Sequence, residues 1–108
     1  MVRSFLTYAT TTILNAVSNG YSYGFDIIDI TGMPGGTVYP ALRRLEEAGY
    51  LTSAWEKERV ALAAERPRRK YYTLTRAGRE ALTEAVKRFR LIEQTPPIKS
   101  REPKPSRA

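Results

Sequence analysis

The chain has 108 residues, 42% of them apolar, and a formal net charge of +7. This length supports one domain with appendages, because a second independent core would not fit. Cysteine and histidine are absent from the sequence, which excludes disulfides, thiolate or imidazole metal sites, and Ser-His or Cys-His nucleophile pairs.

The charge and the distribution of acids narrow the function further. The carboxylates are scattered among lysines and arginines without a glycosidase or Mg²⁺ pattern, so we expect no catalytic residue, no metal site, no cofactor and no enzyme activity. A strongly basic chain favours a polyanionic partner, nucleic acid before an acidic membrane.

The N-terminal stretch has neither a signal-peptide shape nor the length of a membrane span. Arg3 is a lone positive charge, and threonines interrupt the apolar residues between Phe5 and Val17. No segment approaches the roughly 20 apolar residues that cross a bilayer. We therefore expect a cytoplasmic protein without a membrane partner.

Two helices are expected before residue 35. Apolar residues at helical spacing predict a first helix from Phe5 to about Asn19, with a role in core packing. Ser22 can N-cap a second, short helix that closes near Gly32. The turn from 32 to 34 is so short that this helix and the next form a helix-turn-helix.

The third helix is the most informative element. Its apolar stripe consists of Val38, Ala41, Leu42 and Leu45. Pro34 fits the first helical position, and Gly49 fits the position just after the end.

The opposite face of this helix is unusual for a solvated surface. It carries Gly36, Thr37, Tyr39, Pro40, Arg43, Arg44 and Glu47. A proline inside a helix costs roughly 3 kcal/mol, and Lys, Glu and Gln would be the usual choice for solvent. The pattern indicates selection for a function, against the alternative of a surface helix that tolerates a proline.

Two strands are expected after Gly49. Alternation from Leu51 to Glu56 predicts the first, and the second runs from Arg69 to Leu74. The segment 57–68 between them either contains a helical turn or is disordered. A helix-turn-helix followed by such a hairpin is the winged-helix arrangement. Trp55 is expected to pack as an apolar anchor at the base of the wing, in preference to stacking on a ligand.

The wing also carries four cations within five residues. These are Arg66, Arg68, Arg69 and Lys70. Such a cluster neutralises phosphates without reading sequence, whereas the alternative is an ordinary solvated loop.

A last helix is expected from an N-cap at Thr75 to about Gln94. Its apolar stripe is Leu82, Val86, Phe89 and Ile92. A helix of roughly 20 residues would be about 30 Å long and would outreach the core, so the stripe predicts a homodimer interface. The alternative is that the stripe packs on the first helix. The proline-rich basic tail, residues 95–108, is expected to be disordered.

Several segments resemble one protein family. Residues 36–51, G-T-V-Y-P-A-L-R-R-L-E-E-A-G-Y-L, are similar to the recognition-helix signature of PadR-type transcriptional regulators, G-T-[LV]-Y-P-A-L-x-R-L-E-x-x-G-x-[LIV]. Residues 66–75 with Gly78 resemble the family's second wing strand and last helix, and residues 23–27 resemble its H-G-Y-E-[IL] segment. The resemblance extends from Leu6 to Ile92. It matches the short branch, which lacks a separate C-terminal domain and dimerises through one long helix.

The expected fold is therefore mainly α with a small β-hairpin. Residues 1–75 would form a winged helix-turn-helix DNA-binding domain, 76–94 a C-terminal dimerisation helix, and 95–108 the tail. The expected DNA-binding residues are Ser22, Tyr23, Gly36, Thr37, Tyr39, Pro40, Arg43, Arg44, Arg66, Arg68, Arg69 and Lys70.

The predicted function is a sequence-specific transcriptional regulator that binds an operator in double-stranded DNA as a dimeric repressor. The family resemblance adds a possible small aromatic effector, although no residue set in the sequence identifies one. The alternative is a winged-helix module for non-specific nucleic-acid binding or for protein interaction.

Overall fold

The computed structural model describes residues 6–89, which form five helices and one hairpin. The helices are α1 (Tyr8–Ser18), α2 (Gly24–Thr31), α3 (Gly35–Glu47), α4 (Glu58–Ala63) and α5 (Arg76–Arg88). The strands are β1 (Leu51–Trp55) and β2 (Lys70–Leu74), which pair antiparallel. The predicted fold class, mainly α with a small β-hairpin in a winged helix-turn-helix, is confirmed. The tail and Ile92 lie outside the described residues.

The first three helices form the core around the apolar stripe of α3. Val38, Ala41, Leu42 and Leu45 are all buried, as the spacing predicts. They pack with Ile13 and other buried residues of α1, and with Ile27 of α2. At roughly 1.5–3 kcal/mol for each large buried side chain, this stripe is a major source of stability.

The helix boundaries show which local signals act. Thr7 caps α1 and forms a capping box with Thr10. Gly32 ends α2 in the left-handed region, at φ 74°, and with the next two residues it forms the three-residue connection to α3. Pro34 was predicted to be the first residue of α3, but it is the N-cap, one position earlier. Helix α3 is continuous through Pro40 and is followed by Gly49 at φ 85°.

The hairpin extends away from the core. Leu51 pairs with Leu74 at the buried end, and Trp55 pairs with Lys70 at the far end. Trp55 is 58% exposed, so the prediction that it packs as an apolar anchor is wrong. It lies on the same strand face as Leu51, but four residues of about 3.3 Å each carry it beyond the core. The guanidinium of Arg68 and the ammonium of Lys70 each lie 5.7 Å from its ring centroid.

The segment between the strands was predicted to contain a helical turn or to be disordered. It contains the short helix α4. Its single buried residue is Ala61. Glu65 ends it with φ 57°, and the amide N–H of Arg66 donates back to the carbonyl of Ala61 at 3.1 Å. This left-handed termination turns the chain back toward β2.

Helix α5 begins at the predicted N-cap, since the Thr75 hydroxyl accepts from the amide of Gly78 at 2.9 Å. Its end differs from the prediction: Phe89 is the C-cap, and the helix has 13 residues, about 20 Å. Leu82 is buried in the protomer's own core, and its assignment to a dimer interface stays a prediction. Val86 packs against the same core, and the ring of Phe89 meets that of Tyr8 edge-to-face at 5.3 Å.

Gly78 permits the close approach of α5 to the strand. A Cβ at this position would overlap the carbonyl group of Tyr50, which is backbone and cannot rotate away. Gly78→Ala should therefore destabilise the fold by about 1–3 kcal/mol through overpacking, measured by denaturant unfolding.

Gly36→Ala is the matched control, because a Cβ there meets nothing within 4 Å. It should leave stability unchanged or raise it by up to about 1 kcal/mol through helix propensity. Equal stabilities of the two variants would show that α5 can shift away from Tyr50 without cost.

Candidate nucleic-acid interface

The outward face of α3 presents backbone and cationic groups to solvent. Gly36, Thr37, Arg43 and Glu47 are exposed, and Pro40 is half-buried. At 100° per residue, Gly36, Pro40, Arg43 and Glu47 all lie nearly opposite the centre of the buried stripe. A surface that approaches α3 from outside therefore meets these four positions first, and Arg43 is the cation among them.

Arg44 lies on a different flank of the same helix. It borders a groove of about 490 Å³ beside the start of α1, together with Thr7 and Leu6. The two adjacent arginines of α3 therefore face different surroundings, and Arg43 is the more central of the pair.

Two glycines allow Tyr39 to approach the second helix closely. A Cβ at Gly24 would overlap the Tyr39 ring, and one at Gly35 would lie 3.4 Å from it. The ring is nevertheless 46% exposed. The glycine at the start of α2 thus leaves the space that the Tyr39 ring occupies.

Tyr39 also borders a cleft that joins α3 to the wing. The cleft has a volume of about 270 Å³. Its lining residues are Tyr23, Phe25, Tyr39, Arg66, Pro67, Arg68 and Arg69. Three aromatic rings and three arginines therefore converge on one surface. The cleft brings Tyr39 of α3 next to wing arginines that follow it by about 30 residues in the sequence.

The segment before α2 closes the back of this cleft by pairing with β2. The amide of Tyr72 donates to the carbonyl of Ser22 at 2.8 Å, and Tyr23 forms a β-bridge with Tyr71. The N-cap of α2 is Tyr23, without a side-chain cap, so the prediction that Ser22 caps this helix is wrong. The backbone of Ser22 is used by the sheet instead.

One carboxylate organises the base of the wing. The guanidinium of Arg66 donates to both carboxylate oxygens of Glu56, at 2.6 and 2.8 Å. The amide of Arg69 donates to the same carboxylate at 3.2 Å, and the Tyr71 hydroxyl lies 3.5 Å from it. The Glu56 side chain is only 8% exposed.

This environment changes the acidity of Glu56. The hydrogen bonds from Arg66 are the largest cause, burial opposes them, and the Arg69 amide adds to them, so the pKa of Glu56 falls from 4.5 to about 2. The same contact raises the pKa of Arg66. The pair is therefore charged throughout the neutral range.

The other wing cations have separate supports. Arg68 is exposed, and its Nε donates to the backbone carbonyl of Glu56 at 2.9 Å. The guanidinium of Arg69 stacks on the Tyr23 ring, 4.0 Å from its centroid. The Lys70 ammonium lies 4.0 Å from the carboxylate of Glu46. Of the four predicted phosphate contacts, Arg66 is thus the one whose charge is directly offset within the wing.

Sequence reasoning missed two residues of this site. Glu56 is an acid that directly follows the first strand, and a cluster of four cations leads into the second strand. This contrast of charge between the two ends of the loop could have indicated an ion pair. Phe25 is 68% exposed at the cleft. Phe25 lies in the first turn of a short helix whose apolar side is already supplied by isoleucines. This position could have indicated an exposed aromatic ring.

A helix-turn-helix whose second helix shares a basic, aromatic cleft with a β-hairpin defines a winged-helix DNA-binding fold. The model of the Transcriptional regulator PadR-like family matches residues 13–84. The chain therefore belongs to the PadR-like family of transcriptional regulators, which are DNA-binding proteins and not enzymes.

Solved structures give the same result. A PadR family transcription regulator from Clostridium difficile R20291 is 27% identical, with a TM-score of 0.67 over 82% of this chain and 93% of that chain. A transcriptional regulator from Clostridium thermocellum, Cth-833, is 29% identical, with a TM-score of 0.62 over 81% of this chain and 84% of that chain.

A more distant neighbour is BpsR of Bordetella bronchiseptica, whose DNA binding is regulated by 6-hydroxynicotinic acid. It is 24% identical, with a TM-score of 0.65 over 95% of this chain and 73% of that chain, and it shares the fold. Comparison with curated proteins gave no match. Within residues 6–89, no helix combines the length and apolarity that crossing a membrane requires.

The pKa of Glu56 gives a direct test of the wing geometry. Because it is lower in the folded protein, the ion pair stabilises the fold above about pH 4.5, and this contribution is lost as the pH falls toward 2. Arg66→Gln should raise the pKa of Glu56 toward 4.5, which removes most of this pH-dependent contribution to stability.

The measurement is a carboxyl ¹³C NMR titration of folded protein. Arg59→Gln removes the same charge from the exposed side of α4 and should leave the Glu56 value near 2. A Glu56 pKa that stays near 2 in Arg66→Gln would assign the shift to a different cause.

Proposed function

We propose that this protein is a sequence-specific, dimeric repressor that binds an operator in double-stranded DNA. The observation that carries the proposal is the cleft between α3 and the wing, which places Tyr39, Arg68 and Arg69 on one surface beside the outward face of α3. This surface has two chemically different parts. One is suited to base edges and the other to phosphates.

Helix α3 is the part suited to base edges. A helix fits the major groove, and an arginine can donate to O6 and N7 of a guanine at once. Arg43 is exposed on the outward face. Gly36 adds no side chain there, which lets the N-terminal turn approach the duplex closely, with Thr37 and Tyr39 available to phosphates or base edges.

The wing and its surroundings are the part suited to phosphates. Arg68, Arg69 and Lys70 supply positive charge, while the backbone of residues 22–23 lies where β2 meets α2. Contacts of this kind fix the register of a protein on DNA and carry no sequence information. Repression would then follow because the protein bound at the operator blocks access to the promoter.

The dimer would use the exposed part of the α1–α5 surface. Tyr8 is 50% exposed, and Phe89 and Val86 are half-buried in the single chain. Burial of these groups against a second copy would remove an apolar patch from water. A dimer would also place two recognition helices on one duplex, as an operator with two half-sites requires.

Two further parts of the proposal concern the surroundings of the protein. We propose a cytoplasmic location, because a DNA-binding regulator acts where the chromosome is. A small aromatic effector is proposed only from the family resemblance, and regulation by 6-hydroxynicotinic acid is a property of BpsR.

The base-reading role of Arg43 can be separated from phosphate binding. A bidentate arginine–guanine contact discriminates by roughly 1–3 kcal/mol. Arg43→Ala should weaken operator binding by about this amount and barely change affinity for a scrambled duplex. Arg69→Ala should weaken both duplexes alike and lower the salt slope by about one unit.

The operator for these titrations comes from a footprint on DNA upstream of the protein's own coding region. Both variants are titrated at several salt concentrations. Equal losses on both duplexes for Arg43→Ala would reduce α3 to a phosphate contact. The alternative function, non-specific nucleic-acid binding, would then be the better description.

The dimer is tested at Phe89. Phe89→Arg places a charge in the proposed interface, so sedimentation should show monomers. Phe89→Leu is the control, because it removes the edge-to-face contact with Tyr8 but keeps the position apolar, so it should leave more dimer than Phe89→Arg. An unchanged dimer in Phe89→Arg would assign the stripe of α5 to packing within the protomer.

A further inference from the structure

The wing loop is held in place by contacts that converge on a single residue. Glu56 follows β1, and its side chain binds Arg66 ten residues later at 2.6 and 2.8 Å. Its backbone adds two bonds: its amide donates to the carbonyl of Arg69 at 2.8 Å, and its carbonyl accepts from Nε of Arg68 at 2.9 Å. One acidic residue therefore contacts three of the four wing cations.

These contacts divide the cations into two kinds. The guanidinium of Arg66 gives two N–H groups to Glu56 and a third contact, 3.2 Å, to the carbonyl of Pro67, and its side chain is 25% exposed. Arg68 donates from its Nε to the backbone carbonyl of Glu56, and its guanidinium lies 5.7 Å from the centroid of the Trp55 ring. Arg69 is oriented by the Tyr23 ring.

We propose that Glu56 is a positioning residue for DNA binding: paired with Arg66, it closes the wing loop so that Arg68 and Arg69 are already oriented toward the DNA phosphates. Arg66 belongs to this closure and makes no phosphate contact. The proposal rests on the proposed DNA interface, but it concerns the phosphate contacts and does not depend on operator recognition.

Two opposing effects decide the outcome when Glu56 is removed. Loss of the Glu56 charge leaves Arg66 unpaired and raises the local positive charge by one, which favours binding to DNA through an interaction that solvent and salt screen. Loss of the closure means that the long wing side chains must be ordered during binding, which costs conformational entropy for each of them. The ordering cost exceeds the screened charge effect, so removal of an acid should weaken binding to a polyanion.

The test is Glu56→Gln, titrated against operator and scrambled duplexes. Both affinities should fall by about tenfold, which corresponds to about 1.4 kcal/mol. The matched control is Glu58→Gln, which changes the charge equally at an exposed position of α4 two residues away. It should bind as tightly as the unmodified protein or slightly more tightly. A Glu56→Gln protein that binds like Glu58→Gln would overturn the proposal.

A second arm assigns the arginines. Arg68→Gln should lower the salt slope by about one unit, because it removes a phosphate contact. Arg66→Gln should weaken binding without changing the slope. A drop of one unit for Arg66→Gln would overturn the proposal, because Arg66 would then leave Glu56 for a phosphate in the complex. The charge-swapped double variant, Glu56→Arg with Arg66→Glu, should recover part of the lost affinity.

A third arm needs no DNA. Trp55 is the only tryptophan of the chain and lies beside Arg68 and Lys70, so its fluorescence anisotropy reports wing mobility. Anisotropy should fall in Glu56→Gln and stay unchanged in Glu58→Gln, with circular dichroism to confirm that both are folded. Unchanged anisotropy in Glu56→Gln would contradict a closed wing.

The arms distinguish this proposal from the proposed function. If the unmodified protein binds operator and scrambled duplexes equally, the sequence-specific repressor is refuted. The Glu56 proposal is still decided by the scrambled duplex and by the anisotropy of Trp55.

Discussion

Burial of the apolar stripe of α3 is the constraint on which the rest of the interface depends. Val38 and Leu42 are completely buried between the neighbouring helices, so α3 cannot rotate about its axis without exposing them. Because the buried side is fixed, the outward side is fixed too. The position of Arg43 is therefore a consequence of core packing and does not depend on contacts of its own.

The same constraint accounts for the tolerance of Pro40. A proline inside a helix removes one backbone hydrogen bond, at roughly 3 kcal/mol, yet α3 is continuous from Gly35 to Glu47. The stripe contributes more than this cost, since each large buried side chain is worth about 1.5–3 kcal/mol. Local propensity opposes the helix at this point, and tertiary packing prevails.

The elements that could be predicted from sequence are those with a periodic or local signal. The stripe of α3, the glycine at 32 and the N-cap at Thr75 each depend on residues within one or two turns. They needed no knowledge of the tertiary structure. The division of the chain into a helix-turn-helix and a hairpin followed from these signals together with the family resemblance.

What could not be predicted depends on contacts between distant residues. The pairing of residues 22–23 with β2 spans about 50 residues and is too short to show a strand period. The bond between Glu56 and Arg66 crosses a loop whose conformation was open. Trp55 was misjudged because side-chain alternation gives the face of a strand, but not the point at which the strand leaves the core.

The apolar stripe of α5 packs within the protomer and is also the proposed dimer contact. Leu82 and Ala85 are buried by the protomer itself. The last turn, with Val86 and Phe89, keeps half-buried apolar surface, and the ring of Tyr8 that Phe89 contacts is exposed. A dimer built on α5 would therefore depend on this turn, on Tyr8 and on residues beyond Phe89. Its interface would join α1 and α5 of both copies and would leave the outward face of α3 uncovered.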